Sequence, residues 1–189
     1  MSDELPPKQL FVDASVFITL AEIDHLNLLA GLDGEVVVPW AVADEISDEP
    51  AASHLDSASD DWLRIVDAVE TAGAETVNHA ASHLDATPVS RNADRDDAPE
   101  FEGDVALLAL GMVVENPVVV TDDKPLRKAC KALGVSLSGS IGVLVAAVET
   151  GVLDPDAAKD ALVTMDEVGA RLSARLLRRA EKLVDSAAE

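Results

Sequence analysis

Short apolar runs alternate along the chain with longer stretches of helical period. Leu10-Phe11-Val12 reads as a buried strand that ends at Asp13. Ser15 is placed to cap a helix carrying Val16, Ile18, Leu20 and Ile23, and a second short helix runs through Leu26, Leu28 and Leu29 to Gly31. Val36-Val37-Val38 repeats the strand pattern, and Pro39 follows at a helix N1 position, ahead of Val42 and Ile46 on one face. Residues 47–60 are polar and alanine-rich, a loop leading into a short helix, and 62–66 reads as a short strand. From Gly73 to Pro99 the pattern weakens, and 90–97 reads as an exposed, mobile loop. Order resumes with a helix over 104–114, a strand over 118–121, a helix over 125–133 ending at Gly134 and a strand over 135–137. Three helices follow, over 141–150, 155–164 and 168–186.

Strands alternating with helices predict an α/β fold around a mostly parallel sheet of four to five short strands. At 189 residues the chain suits one domain, and 48% hydrophobic content is enough for a core. Aromatics are 3% and Tyr is absent, so that core must be aliphatic. No run approaches ~18 apolar residues and the first eight residues lack a signal-peptide pattern, which predicts a soluble, cytoplasmic protein without a membrane partner. The lone Cys130 excludes a disulfide framework and a thiolate zinc site.

Charge changes the picture further. There are 36 Asp+Glu against 14 Lys+Arg, a net of -22, which argues against a broad basic face for nucleic acid or anionic membrane. Asp outnumbers Glu 22 to 14, a bias that resembles proteins of salt-loving archaea. At ~1 M salt the Debye length is roughly 3 Å, so most of these acids read as solvated surface. The sum also hides a split: residues 1–123 carry 27 acids and 4 bases, residues 124–189 carry 9 and 10.

A few acids stand apart. Two strands run directly into carboxylates, Val12 into Asp13 and Val120-Thr121 into Asp122-Asp123. Functional groups gather at such carboxyl ends in open parallel sheets. Glu45 lies on the helix after the second strand, three residues beyond Val42, and Asp104 opens a later helix. Clustered carboxylates repel one another unless a cation neutralises them, and their oxygens suit Mg²⁺ or Mn²⁺. Two such ions a few ångström apart promote phosphodiester cleavage. For Asp13 alone, the simpler reading is an acid favoured by a helix dipole.

Val12-Asp13-Ala14-Ser15, Pro39-x-x-Val42-x-x-Glu45-Ile46, Gly103-Asp104 and Val120-Thr121-Asp122-Asp123 together resemble PIN-domain nucleases, over about residues 10–151. Gly139-Ser140-Ile141-Gly142-Val143-Leu144, Gly151-Val152-Leu153 and the tail Val168–Ser173 resemble a prokaryotic branch related to VapC-type toxins. The resemblance implies a three-layer α/β/α domain over 5–153, with C-terminal helices over 154–189 packed on it. It implies a metal-dependent endoribonuclease with Asp13, Glu45, Asp104 and Asp123 as catalytic ligands of Mg²⁺ or Mn²⁺. The Thr121-x-Asp123 spacing favours Asp123, while Asp122 stays open as a ligand and Glu102 as an alternative to Asp104. Ser15 would order the first loop and Thr121 would lie at the site's edge. RNA is the implied partner, along with a second copy of the chain and a small antitoxin. A catalytically inactive module that binds RNA or protein is the competing reading.

Other candidates read more plainly. His79 and His83 are four apart without an HExxH motif or third ligand, and Cys130 falls among apolar helix positions. No nucleophile elbow or Walker sequence occurs, and a haloacid-dehalogenase motif fails because Ser15 stands where its second Asp belongs. Lys124, Arg127, Lys128 and Lys131 follow the acidic strand end, with Lys124 and Arg127 the candidate substrate contacts. Arg171, Arg175, Arg178 and Arg179 lie in the predicted last helix, the first three on one face. These bases serve either as solubilising surface or as guides for an RNA backbone.

Overall fold

The strands β1 (Gln9–Val12), β2 (Glu35–Pro39), β3 (Leu63–Val66), β4 (Pro117–Val120) and β5 (Ser136–Ser138) pair in parallel in the order β3-β2-β1-β4-β5. The computed structural model describes residues 6–86 and 101–189. β1 is central and its Leu10, Phe11 and Val12 are buried, as an interior parallel strand covered on both faces requires. The edge strand β5 is more polar and less buried. At the other edge Arg64 of β3 pairs with Glu35 of β2 at 2.8 Å.

Connection handedness sorts the helices. β1, β2 and β3 progress one way through α1 (Ala14–Glu22), α2 (Asn27–Ala30), α3 (Trp40–Glu45) and α4 (Ala51–Ser59). The chain then returns across the sheet through α5 (Ala68–Ala72), α6 (Ala74–His83) and α7 (Gly103–Val113) to β4, and α8 (Lys124–Leu133) leads to β5. Right-handed crossovers place the first set on one face and the second on the other, which gives the three-layer α/β/α architecture. α7 packs on β1, β2 and β4 and against α5, α6 and α8. Its residues Val105 to Leu110 are fully buried, so this helix is apolar all round. α9 (Ser140–Glu149) packs against α1 and α2 and receives α10 (Pro155–Met165) and α11 (Ala174–Ala187). Met165, Ala180 and Val184 anchor these last helices in the common core. Among the described residues no helix is long and apolar enough to cross a membrane.

Several local expectations change. The weakly patterned stretch after Gly73 begins with ordered helix: Asp67 caps α5 by accepting from the N–H groups of Val69 and Glu70, and α6 buries Val77, Ala80 and Ala81. Mostly small residues on the buried face explain the faint hydrophobic period. The loop predicted at 90–97 lies outside the described residues. The N-cap of α1 is Asp13 rather than Ser15, and Pro39 closes β2 and caps α3 instead of standing at N1. The predicted helix over 168–186 is broken. The chain kinks over Asp166–Ala170, where Gly169 has a non-helical φ of 113° and Arg171 beyond it is left-handed at φ 49°, so α11 starts only after the Ser173 cap. Arg171 therefore does not share a helix face with Arg175 and Arg178.

Candidate active site

The sheet order reverses direction between β1 and β4, and the crevice beyond their carboxyl ends is where parallel α/β sheets form sites. Val12 is paired with Val120, so the residues one step on, Asp13 and Thr121, face each other across this switch point. Asp13 is 4% exposed and Thr121 fully buried. The Thr121 hydroxyl donates to Asp13 Oδ2 at 2.7 Å, and the Ser15 hydroxyl donates to the same oxygen at 2.7 Å. Each such bond to an ionised group is worth about 1.5–3 kcal/mol, which offsets part of the cost of burying the carboxylate. Thr121 Oγ1 also accepts the Asp123 N–H at 3.0 Å, and Asp123 Oδ1 caps α8 by accepting from Leu126 N at 2.8 Å. One threonine thus fixes two of the candidate acids.

Glu45 and Asp104 come from the other side of the crevice. Glu45 ends α3, and its Oε1 accepts the Gly103 N–H at 2.9 Å. A Cβ on Gly103 would stand 2.7 Å from that same oxygen and 2.7 Å from Val42 Cγ2, so only glycine allows the approach. Burial raises the Glu45 pKa, the Gly103 amide pulls it back, and Asp13 and Glu102 push it up again. Asp104, in the first turn of α7, is pushed up to about 7, first by burial and then by the charges of Asp13, Asp123, Glu45 and Glu102. The four acids singled out in the sequence therefore lie close enough to feel one another, with Glu102 at the margin. Among the described residues no three acidic, His or Cys side chains are drawn into a ready ligand set. The N-termini of α1, α7 and α8 all turn their positive ends toward the cluster.

Asp122 also lines the crevice but is engaged at its α9 side. Its carboxylate accepts from both the N–H and the hydroxyl of Ser140, which is buried at the start of α9. Gly139 lies against the same carboxylate, where any Cβ would collide with it. Arg127 sits beside this pair, and its Nη1 donates to the carbonyls of Thr121 and Ser138 at 2.6 Å each. It ties together the ends of β4 and β5 while its charge lines the cleft. Replacing it with Gln should loosen this edge and cost about 1–3 kcal/mol, read as a lower urea midpoint with unchanged m-value.

The acids open into a cleft of about 900 Å³. Asp13, Glu45, Asp104 and Asp123 line one part of it together with Ser15 and Lys124, while Arg171 and Arg179 come from beyond α10. Sequence reasoning missed the Gly103 amide on Glu45, Ser140 on Asp122 and Arg127 on the Thr121 and Ser138 carbonyls. Gly103 directly before Asp104 was the only visible signal for the first. Outside the cleft, His79 and His83 meet on α6 with ring centroids 4.9 Å apart and planes tilted by 48°. Cys130 is buried, and burial pushes its thiol up to about 11, which suits a packing residue rather than a nucleophile.

A family profile described as a PIN domain, DUF3368, matches residues 9–91 and 97–186. Its two segments take in all five strands, every candidate acid and the C-terminal helices. No curated protein matches the chain.

Proposed function

The chain belongs to the DUF3368 family of PIN domains, generally nucleases, and from that premise we propose that it is a metal-dependent endoribonuclease. The observation that carries this reading is the convergence of Asp13, Glu45, Asp104 and Asp123 on one cleft at the sheet's switch point, where their charges and burial raise the Asp104 pKa. Such a donor set, all carboxylate oxygen, fits a hard divalent cation such as Mg²⁺ or Mn²⁺. Asp13, Glu45, Asp104 and Asp123 would hold it, and when bound it would supply a nucleophile at neutral pH and neutralise phosphate charge.

The chain's own groups do the positioning. Ser15 and Thr121 fix Asp13 through one oxygen, Gly103 fixes Glu45, and the α8 cap fixes Asp123. Lys124, at the first position of α8, lines the cleft and would meet a substrate phosphate. A toxin role is a narrower form of the proposal. It adds a small cognate protein, and a neighbouring short reading frame encoding one would support it.

The test is cleavage of a labelled RNA in molar KCl with Mn²⁺ or Mg²⁺, stopped by a chelator. Neither cleavage nor heat of Mn²⁺ binding would instead favour the non-catalytic module.

A pH dependence follows from Asp104. Its pKa in the folded chain, about 7, lies above the ordinary 3.8, so the cation-free protein binds this proton more tightly than the unfolded chain. The associated stability is complete below the ordinary value and is lost as pH rises to about 7. Cation binding needs the ionised form, so Mn²⁺ affinity should fall about tenfold per pH unit below that point. Calorimetry across this range measures it, and Asp104→Asn should abolish the dependence.

A further inference from the structure

The cationic side of the cleft is built differently from what the arginine spacing suggested. After α10 the chain kinks over Asp166–Ala170, and the Asp166 carboxylate accepts the Leu172 N–H at 2.7 Å. That clasp spans Arg171, the residue held left-handed, a conformation that costs a non-glycine side chain about 1–2 kcal/mol. The kinked stretch packs against α1, and α11 packs against α9, so the segment is set in place beside the acids. Arg171, Arg179 and Lys131 of α8 all line the cleft. In a chain of net charge -22, surplus bases would be expected to pair with acids. Among the described residues none of these three side chains has a hydrogen bond or ion pair. Arg175 and Arg178 are exposed on the same helix but do not line the cleft. Among the described residues no aromatic side chain lines the cleft, so these residues offer no stacking platform for bases.

We propose that Arg171, Arg179 and Lys131 form the phosphate-holding wall of this cleft, gripping the backbone of a single RNA strand opposite the carboxylates with little base preference. This rests on the nuclease reading and extends it to how the substrate is held. Asp166 acts as a positioning residue by fixing the backbone from which Arg171 projects.

The experiment measures binding of a fluorescent oligouridylate against salt in the Asp13→Asn background with Mn²⁺ present. That background lacks one repelling carboxylate and is inactive under the proposed reading. Each lost phosphate contact should reduce the slope of log K against log salt by about 0.7 for a single strand. Combining Arg171→Asn, Arg179→Gln and Lys131→Gln should therefore reduce it by about 2, with helical circular dichroism unchanged. Arg175→Gln and Arg178→Gln should leave the slope as it was. Asp166→Ala removes a negative charge, which by itself favours RNA, yet it should weaken binding because Arg171 loses its placement. In the otherwise unsubstituted protein, Arg171→Asn should raise KM for cleavage and leave kcat nearly unchanged. An unchanged slope in the triple variant, or equal losses in the Arg175 and Arg178 variants, would overturn the wall while cleavage by the parent protein stood. A parent that neither cleaves nor binds RNA would overturn the nuclease reading itself.

Discussion

Asp13→Asn is expected to lower RNA cleavage by about 10³-fold, roughly 4 kcal/mol in the barrier, while the protein keeps its fold. The asparagine carbonyl can still accept the Ser15 and Thr121 hydroxyls that converge on one Asp13 oxygen at 2.7 Å. The β1–β4 junction then survives, but the charge that would hold a cation is gone. Asp13 is also the largest electrostatic contributor to the raised pKa of Asp104, behind burial. Without divalent cation the variant should therefore melt at or above the parent's temperature, and its heat of Mn²⁺ binding should disappear. Loss of activity together with retained stability separates a role in chemistry from a role in folding. Parental rates in Mn²⁺ and molar KCl would remove Asp13 from the site.

Gly103→Ala carries the second large effect. On an ordinary helix, alanine is better than glycine by about 1 kcal/mol. Here its Cβ would meet Glu45 Oε1 and Val42 Cγ2 at 2.7 Å each, and Val42 is fully buried. Val42 has no room to yield, so Glu45 must leave the Gly103 amide or α7 must shift. We expect about 1–3 kcal/mol of destabilisation and a 10- to 100-fold fall in kcat. Thermal melting and cleavage kinetics on the same preparation measure both. A more stable, fully active variant would mean that Glu45 is not placed through this contact.

The sheet was legible because a buried parallel strand must be apolar throughout. Val36–Val38 and Val118–Val120 have few other uses, and acids directly after such runs mark a sheet edge. Asp13, Asp104 and Asp123 stood out at helix starts and strand ends, both local features, while Glu45 was reached from the helix after β2 and the family resemblance. What stayed hidden depends on partners far along the chain. Asp122 and Asp123 are indistinguishable as neighbours in sequence, and only the packing of α9 gives Asp122 its Ser140 partner. Arg127 carries a side chain suited to phosphate, yet two strand-end carbonyls share its guanidinium. The break at Gly169 and Arg171 was passed over because the flanking residues keep a helical period through it. Ser173, which caps α11 by accepting from Leu176 N at 3.2 Å, was the signal available for the new start.

The bond between Thr121 and Asp13 joins residues 108 positions apart. It exists only once β4 has inserted beside β1, after the whole crossover through α5, α6 and α7 has been laid down. Long-range parallel pairing of this kind is among the slower steps by which chains reach their native state. A nascent chain on the ribosome therefore holds Asp13 and Glu45 long before it holds a site. The enzyme proposed here would be unable to cut RNA, including the message being translated, until most of its length had been released and folded.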